Sequence, residues 1–352
     1  MSINNLILIF FLILFNLFFY KYFLLILNKF DPKMLVDDQL KKPQAFHEFP
    51  ISTSGGVGIF FSFLILCLYL FLSQQIIYYE YLSFCTLFFL LGLSDDLKLN
   101  IRPKFRLIVM IAFLITLILS NKFYIENTGI EFLNKFLQID IFALFFICLC
   151  FLFIINGSNL IDGYNGLLSI HTLIILINLF FVNYLNQNND LAFFILCGIL
   201  TVTVFLKYNF PKASLFLGDS GSYFLGTFIA ISVINTSIAN PEISPFYFCI
   251  LLFYLFFEVF FSFIRKIVSE RKSPLLPDKK HLHMLIYKKF LKKYKNKLKS
   301  NYNVSIVINF IYCILIIPAI FMMKNGLFCK YYSLVFFVIY FLSYKMVYEE
   351  TE

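Results

Sequence analysis

Charge is scarce in this chain: only 14% of its 352 residues are Asp, Glu, Lys or Arg, while 61% are hydrophobic. A soluble domain carries about 25% charged residues. A water-soluble fold of this length has no way to hide so much apolar surface, so that class is excluded and lipid must be the solvent for most of the molecule. Other absences narrow the chemistry. The eight cysteines (67, 85, 148, 150, 197, 249, 313 and 329) all lie in apolar runs and form no CxxC pair, which argues for small apolar fillers over disulfide or metal chemistry. No HExxH pattern is present, so zinc hydrolysis has no signature here. The apolar stretch Leu6 to Leu27 lacks a small-residue cleavage site and reads as a retained first span. No internal repeat and no second domain are visible, and 1–352 reads as one integral membrane unit.

What is present is a series of apolar runs of about 17–25 residues, the length that crosses a bilayer as a helix. They lie near 5–28, 56–73, 81–94, 105–121, 139–156, 167–185, 190–207, 217–236, 246–265, 303–323 and 326–345. The expected fold is all-α: a polytopic membrane bundle of 10–11 transmembrane helices. Lys and Arg gather in alternate connections. Lys98, Arg102, Lys104, Arg106, Lys207, Lys212 and the basic stretch 265–302 fall in one set, which should therefore be cytoplasmic. The net charge of +9 follows from this bias and from attraction to anionic lipid, with no call for nucleic acid.

Five unusual segments fall in that same basic set, which points to one site. Asp95 and Asp96 end an apolar span, where carboxylates are expensive and usually functional. The run from Asn156 to Gly166 contains Asn156, Asn159, Asp162, Gly163 and Asn165, with uncharged amides to donate and accept and glycines for close approach. Asp219 stands between Gly218 and Gly221 with Ser220 and Ser222, at the start of a helical run, as an oxyanion cradle would. The Ser54–Gly58 turn precedes them, and His281 and His283 follow in a Lys-rich loop spanning 265–302. Oxygen-rich, sulfur-free donors suit Mg²⁺, with Mn²⁺ as a substitute, and not zinc. His47 and His171 have no motif around them and read as structural.

Taken in order, these segments resemble the polyprenyl-phosphate N-acetylhexosamine-1-phosphate transferases, over residues 54 to about 285. The Asn-x-x-Asn-x-x-Asp-Gly-x-Asn-Gly run and the Gly-Asp-Ser-Gly-Ser run carry the likeness, with Asp-Asp upstream and His-x-His downstream. The resemblance implies transfer of a HexNAc-1-phosphate from a UDP-sugar to a polyprenyl phosphate, with release of UMP, at the cytoplasmic face of the cell membrane. It places the acidic pair on Asp95 and Asp96 and the loop carboxylate on Asp162. The metal-binding carboxylate falls on Asp219, with Asp162 nearby. The uracil-stacking ring falls on Phe216, a nucleoside amide on Asn209, and the histidine motif on His281 and His283. Three positions depart from the pattern. Leu99 replaces a third aspartate, no basic residue stands between Pro50 and Ser54, and the histidine motif is His-Leu-His-Met. The last departure favours surface-polysaccharide initiation over the peptidoglycan initiator that uses UDP-MurNAc-pentapeptide. A membrane transporter is the rival of another class, and a homodimer is left open.

Overall fold

A computed structural model describes residues 3–30, 35–37, 50–99, 101–125, 127–271, 273 and 278–351. Among them the chain forms thirteen α-helices: α1 (Ile3–Phe30), α2 (Gly55–Gln74), α3 (Tyr79–Asp96), α4 (Pro103–Asn121), α5 (Glu131–Leu137), α6 (Asp140–Ile161), α7 (Leu167–Leu185), α8 (Asn189–Asn209), α9 (Gly218–Ala239), α10 (Pro245–Ile264), α11 (Leu282–Tyr294), α12 (Lys297–Phe321) and α13 (Gly326–Thr351). Helix is what apolar sequence must adopt in lipid, because each helix satisfies its own backbone N–H and C=O groups. The boundaries follow local chemistry. Pro103 and Pro245 open α4 and α10 at the first-turn position that needs no N–H. The Ser244 hydroxyl accepts a bond from the Phe246 N–H at 3.3 Å.

Ten of these helices are long and apolar enough to cross a membrane. The eleventh expected span is α3. Glu80, Asp95 and Asp96 make it less uniformly apolar, yet Tyr81, Phe84, Cys85 and Phe88 are fully buried and α3 packs along α9 inside the bundle. Helix α9 is the most enclosed of the ten. Its glycines and serines let neighbours approach closely, as small residues do where lipid offers no hydrophobic gain for association. Polar bonds add to the packing: Tyr81 donates to Ser232 at 3.0 Å, and Asn183 donates to Thr236 at 2.8 Å. On the outside, Phe310, Ile314, Leu334 and Phe341 are exposed, as a lipid-facing surface requires.

The stretch 265–302 is largely helical, which corrects the expectation of a loop. A π-helical turn, Arg265–Ser269, prolongs α10, and α11 and the start of α12 occupy most of the described residues that follow. The reason is amphipathicity: α11 buries Leu282, Met284, Leu285 and Tyr287 while Lys292 and Lys293 stay exposed. Residues 274–277 and His47 lie outside the described residues.

All five unusual segments meet at one end of the bundle: α3 and α6 finish there, and α2, α7 and α9 start there. The chain before α2 is stitched to the chain before α9. The Phe216 N–H donates to the Ser52 carbonyl at 2.7 Å, the Gly55 N–H to the Phe216 carbonyl at 2.9 Å, and the Gly56 N–H to the Leu217 carbonyl at 2.8 Å.

Candidate active site

The site is built around the first turn of α9. Asp96, the last residue of α3, accepts the Asp219 N–H at Oδ1 and the Ser220 N–H at Oδ2, both at 2.9 Å. A carboxylate satisfying two free N–H groups at a helix N-terminus is charge-assisted and aligned with the helix dipole. Asp96 therefore ties the end of α3 to the start of α9, and both of its oxygens already accept protein bonds. Two glycines make the junction sterically feasible. Gly218 sits at φ +79°, and a Cβ there would lie 2.6 Å from Asp96 Oδ2; a Cβ on Gly92 would lie 2.3 Å from the Asp219 carbonyl oxygen. Gly218→Ala is accordingly expected to cost about 1–2 kcal/mol from the left-handed backbone alone, and to push Asp96 off its two N–H donors. Thermal unfolding in detergent should show a lower midpoint and turnover should fall; an unchanged midpoint and rate would refute this account of the junction.

Asp219 follows directly. Its Oδ1 accepts from Asn159 Nδ2 at 2.7 Å, and the same amide reaches Ser222 Oγ at 3.0 Å. Its Oδ2 lies 3.7 Å from Arg106 Nη1, and Arg106 is ion-paired to Asp95 Oδ2. The guanidinium also lies over the Tyr223 ring, 5.8 Å from its centroid. The Asp95 side chain is 13% exposed and that of Asp219 is 37% exposed, so Asp219 is the carboxylate better placed to meet an incoming ligand. The two members of the acidic pair thus have different work: Asp95 holds Arg106, and Asp96 holds α9. Arg106 was legible in the sequence only as one of several positive charges. The available signal was its place in the first turn of the helix after Asp-Asp, where the chain doubles back toward the acids.

Asp162 caps the end of α6. Burial, and then the neighbouring Asp219 and Asp96 carboxylates, push it well above the usual carboxylate range. Such a cluster stores repulsion that a bound cation would relieve. Among the described residues no group of three or more carboxylate, imidazole or thiol side chains is arranged to hold a metal ion. Mg²⁺ does not require that, since it is commonly held by one or two carboxylates together with substrate phosphates and water. Asp162 and Asp219 fit that donor set.

Several expected contacts with substrate are instead spent on the protein. Asn209 accepts the Gly166 N–H at 2.7 Å and donates to the Leu215 carbonyl at 2.9 Å, so this buried amide holds two loops in register. The Asn156 amide N–H group donates to Leu152 in its own helix at 2.7 Å. Asn165 donates through its backbone to Asn301 at 2.8 Å and through its side chain to Pro211 at 2.9 Å, which fixes the Asp162–Gly166 turn against α12. Phe216 is held by its backbone pairing and keeps a partly exposed side chain at the rim.

The histidines are not displayed on an open loop. His281 is 3% exposed and His283 is fully buried. Their rings lie parallel, 5.4 Å apart, and share a carboxylate that sequence reasoning passed over, Glu258 of α10. Burial lowers the His283 pKa, against the pull of Glu258. Burial would raise Asp278, but His281 and Arg265 bring it below the ordinary value. The His283 ring meets the Tyr164 ring edge-on at 5.5 Å, which places the histidine pair behind the Asp162 turn. His171 is buried against Asn309 at 3.1 Å, in keeping with a structural role.

The profile of glycosyl transferase family 4 matches residues 78–237, which contain Asp95, Asp96, Asp162 and Asp219. An undecaprenyl-phosphate alpha-N-acetylglucosaminyl 1-phosphate transferase of Thermotoga maritima is 30% identical over 236 residues, covering 67% of each chain. A phospho-N-acetylmuramoyl-pentapeptide-transferase of Dictyoglomus turgidum is 38% identical over 160 residues, or 42% of this chain and 50% of that one. A probable undecaprenyl-phosphate N-acetylglucosaminyl 1-phosphate transferase of Bacillus subtilis is 30% identical over 203 residues, or 55% of this chain and 53% of that one. The alignments thus span from half to two thirds of these relatives.

Proposed function

This chain belongs to glycosyl transferase family 4, and from that premise we propose that it moves a HexNAc-1-phosphate from a UDP-sugar to a polyprenyl phosphate, releasing UMP. It is a multi-pass membrane enzyme of the sugar-phosphate transferase type. The observation that carries the reaction is the convergence of Asp219, Asp162, Asn159 and Arg106 at the one end of the bundle where a lipid-borne phosphate can lie at the interface.

The lipid phosphate oxygen attacks the sugar-bearing phosphorus. The bond from that phosphorus to the bridging oxygen breaks, and the bridging oxygen leaves with its electron pair on UMP. One diphosphate is exchanged for another, so the free-energy change is small and the demand is for charge masking and in-line placement. Mg²⁺ held by Asp219 and Asp162 would neutralise diphosphate charge. Asn159 fixes the rotamer of Asp219 through its amide N–H. Arg106 supplies fixed positive charge beside it, and Asp95 aims the guanidinium. Phe216, at the rim, offers a ring to the uracil, and Asn209 sets the height of that rim by holding Leu215. The acceptor phosphate, with a second pKa near about 6, is largely dianionic at neutral pH and needs placement more than deprotonation.

The histidine motif favours surface-polysaccharide initiation. The relatives that act as phospho-N-acetylmuramoyl-pentapeptide transferases keep UDP-MurNAc-pentapeptide as the second donor to test. A transporter fits less well, because its binding groups belong near mid-membrane on broken helices, whereas these stand at helix ends. Purified protein with undecaprenyl phosphate and a panel of UDP-sugars decides the donor by UMP release. Release with UDP-GlcNAc or another UDP-HexNAc is expected. Release with UDP-MurNAc-pentapeptide alone would move the enzyme to the peptidoglycan branch, and release with none would end this reading.

The site should face the cytoplasm, since its end of the bundle carries the Lys and Arg excess. A reporter fused near Lys289 is expected to read cytoplasmic and one near Asn189 external. The reverse pattern would contradict the orientation.

A further inference from the structure

Tyr223 lies one turn after Asp219 in α9, on the same face of the helix. It is fully buried, and its hydroxyl has no hydrogen-bond partner among the described residues. Its ring, in contrast, meets a charge. The Arg106 guanidinium stands over it, 5.8 Å from the centroid and inside the range of a cation–π contact. Arg106 comes from α4, which packs chiefly against α3 and α6, so the reach to α9 is made by its side chain. Three neighbours meet it there. Asp95 is its ion-pair partner, the Tyr223 ring lies beneath it, and Asp219 Oδ2 is 3.7 Å from Nη1, too far for a hydrogen bond. The ionisable groups facing Tyr223 are Asp219, Arg106, Asp95 and Asp96.

We propose that Tyr223 is a positioning residue: its ring is the platform that, with Asp95, holds Arg106 near Asp219 without letting the two close into a tight pair. An arginine side chain is long and flexible, and two carboxylates within reach give it two places to settle. Closed onto Asp219, the guanidinium would make the strong charge-assisted bonds typical of an arginine–carboxylate pair and compete with a cation for that carboxylate. Held by Asp95 and seated over the ring, it leaves Asp219 available. Its own side chain stays 26% exposed, so guanidinium N–H groups remain for an anionic ligand. Asp219 and Tyr223 belong to one helical turn, so α9 itself sets the spacing between carboxylate and guanidinium. The ring carries this role and the hydroxyl does not. The role rests on the phosphotransfer reading above.

The seating of Arg106 can be read without turnover. The chain has four arginines, Arg102, Arg106, Arg265 and Arg271, so a ¹⁵N-arginine spectrum of the full-length protein in nanodiscs has few guanidinium signals. That of Arg106 is the one lost in Arg106→Gln. Tyr223→Phe keeps the ring and removes only the hydroxyl. Tyr223→Met removes the ring and fills its space with an adaptable side chain. The Arg106 signal is expected to stay in place in Tyr223→Phe and to move in Tyr223→Met; an unmoved signal in Tyr223→Met would overturn the proposal. This result stands even if no UDP-sugar is turned over, a failure that would sink only the reaction assigned above. In kinetics, Tyr223→Met should lower kcat by about 3–30-fold, the worth of a cation–π contact, and raise the Mg²⁺ needed for half-maximal rate. Tyr223→Phe should stay within about threefold of the wild type. In an Arg106→Gln background, Tyr223→Met should cost less than about twofold more, because the guanidinium it seats is already gone. An equal loss in both backgrounds, or an unchanged Mg²⁺ requirement, would mean that Tyr223 serves packing alone and would contradict the proposal.

Discussion

Asp219→Asn is expected to lower kcat by at least about 10²-fold, the scale of removing one preorganised electrostatic group from a reaction centre. The substitution is nearly isosteric, and its amide oxygen can still accept from Asn159, which bonds Asp219 Oδ1 at 2.7 Å. The Asp219 N–H that Asp96 receives belongs to the backbone and is untouched. Folding should survive, and the lost quantity is the negative charge offered to a cation beside Asp162. The loss should be greatest at limiting Mg²⁺, with part of it recovered as Mg²⁺ rises. Turnover near the wild-type rate at limiting Mg²⁺ would remove Asp219 from that role.

Asp96→Asn is expected to cost about 10²-fold in kcat, by an equal factor from roughly pH 5.5 to 9. The reason is geometric. Both Asp96 oxygens accept backbone N–H groups at the start of α9. An asparagine keeps one acceptor but points an N–H₂ group at the other donor and loses the charge that complements the helix dipole. The first turn of α9 would shift, and Asp219 with it. A general base behaves differently: its loss fades at high pH, because an acceptor phosphate with a pKa of about 6 ionises unaided. A defect in Asp96→Asn that vanishes toward pH 9 would restore the base role and refute the capping one. Asp95→Asn should be milder, about tenfold, because Arg106 keeps its charge and its place over Tyr223 when one partner is neutralised.

Much of this was legible in the sequence because lipid imposes simple rules. Apolar runs of span length became helices, and alternation of the basic connections brought the five polar segments to one end. The aspartates, the Asn-rich turn and the Gly-Asp-Ser-Gly-Ser cradle were visible as residues too costly or too irregular for a plain span. What the sequence hid was partnership. Nothing in the order of residues tells Asp95 from Asp96, since the difference lies in which neighbour each oxygen faces across helices. Asn209 looked like a ligand amide, and its consumption by Gly166 and Leu215 needed the tertiary fold to be seen. The histidines stand among lysines in the sequence, yet α11 turns its apolar face inward and carries His283 with it. Glu258 was the clearest missed signal, a lone carboxylate within the run 246–265 that deserved the weight given to Asp162.

The bond that breaks is the most direct test of phosphotransfer. A UDP-HexNAc labelled with ³²P only in the sugar-bearing phosphate should give, with polyprenyl phosphate, a labelled lipid diphosphate and unlabelled UMP in equal amounts. Label released in UDP would mean that the sugar–oxygen bond is cleaved and would contradict the assignment.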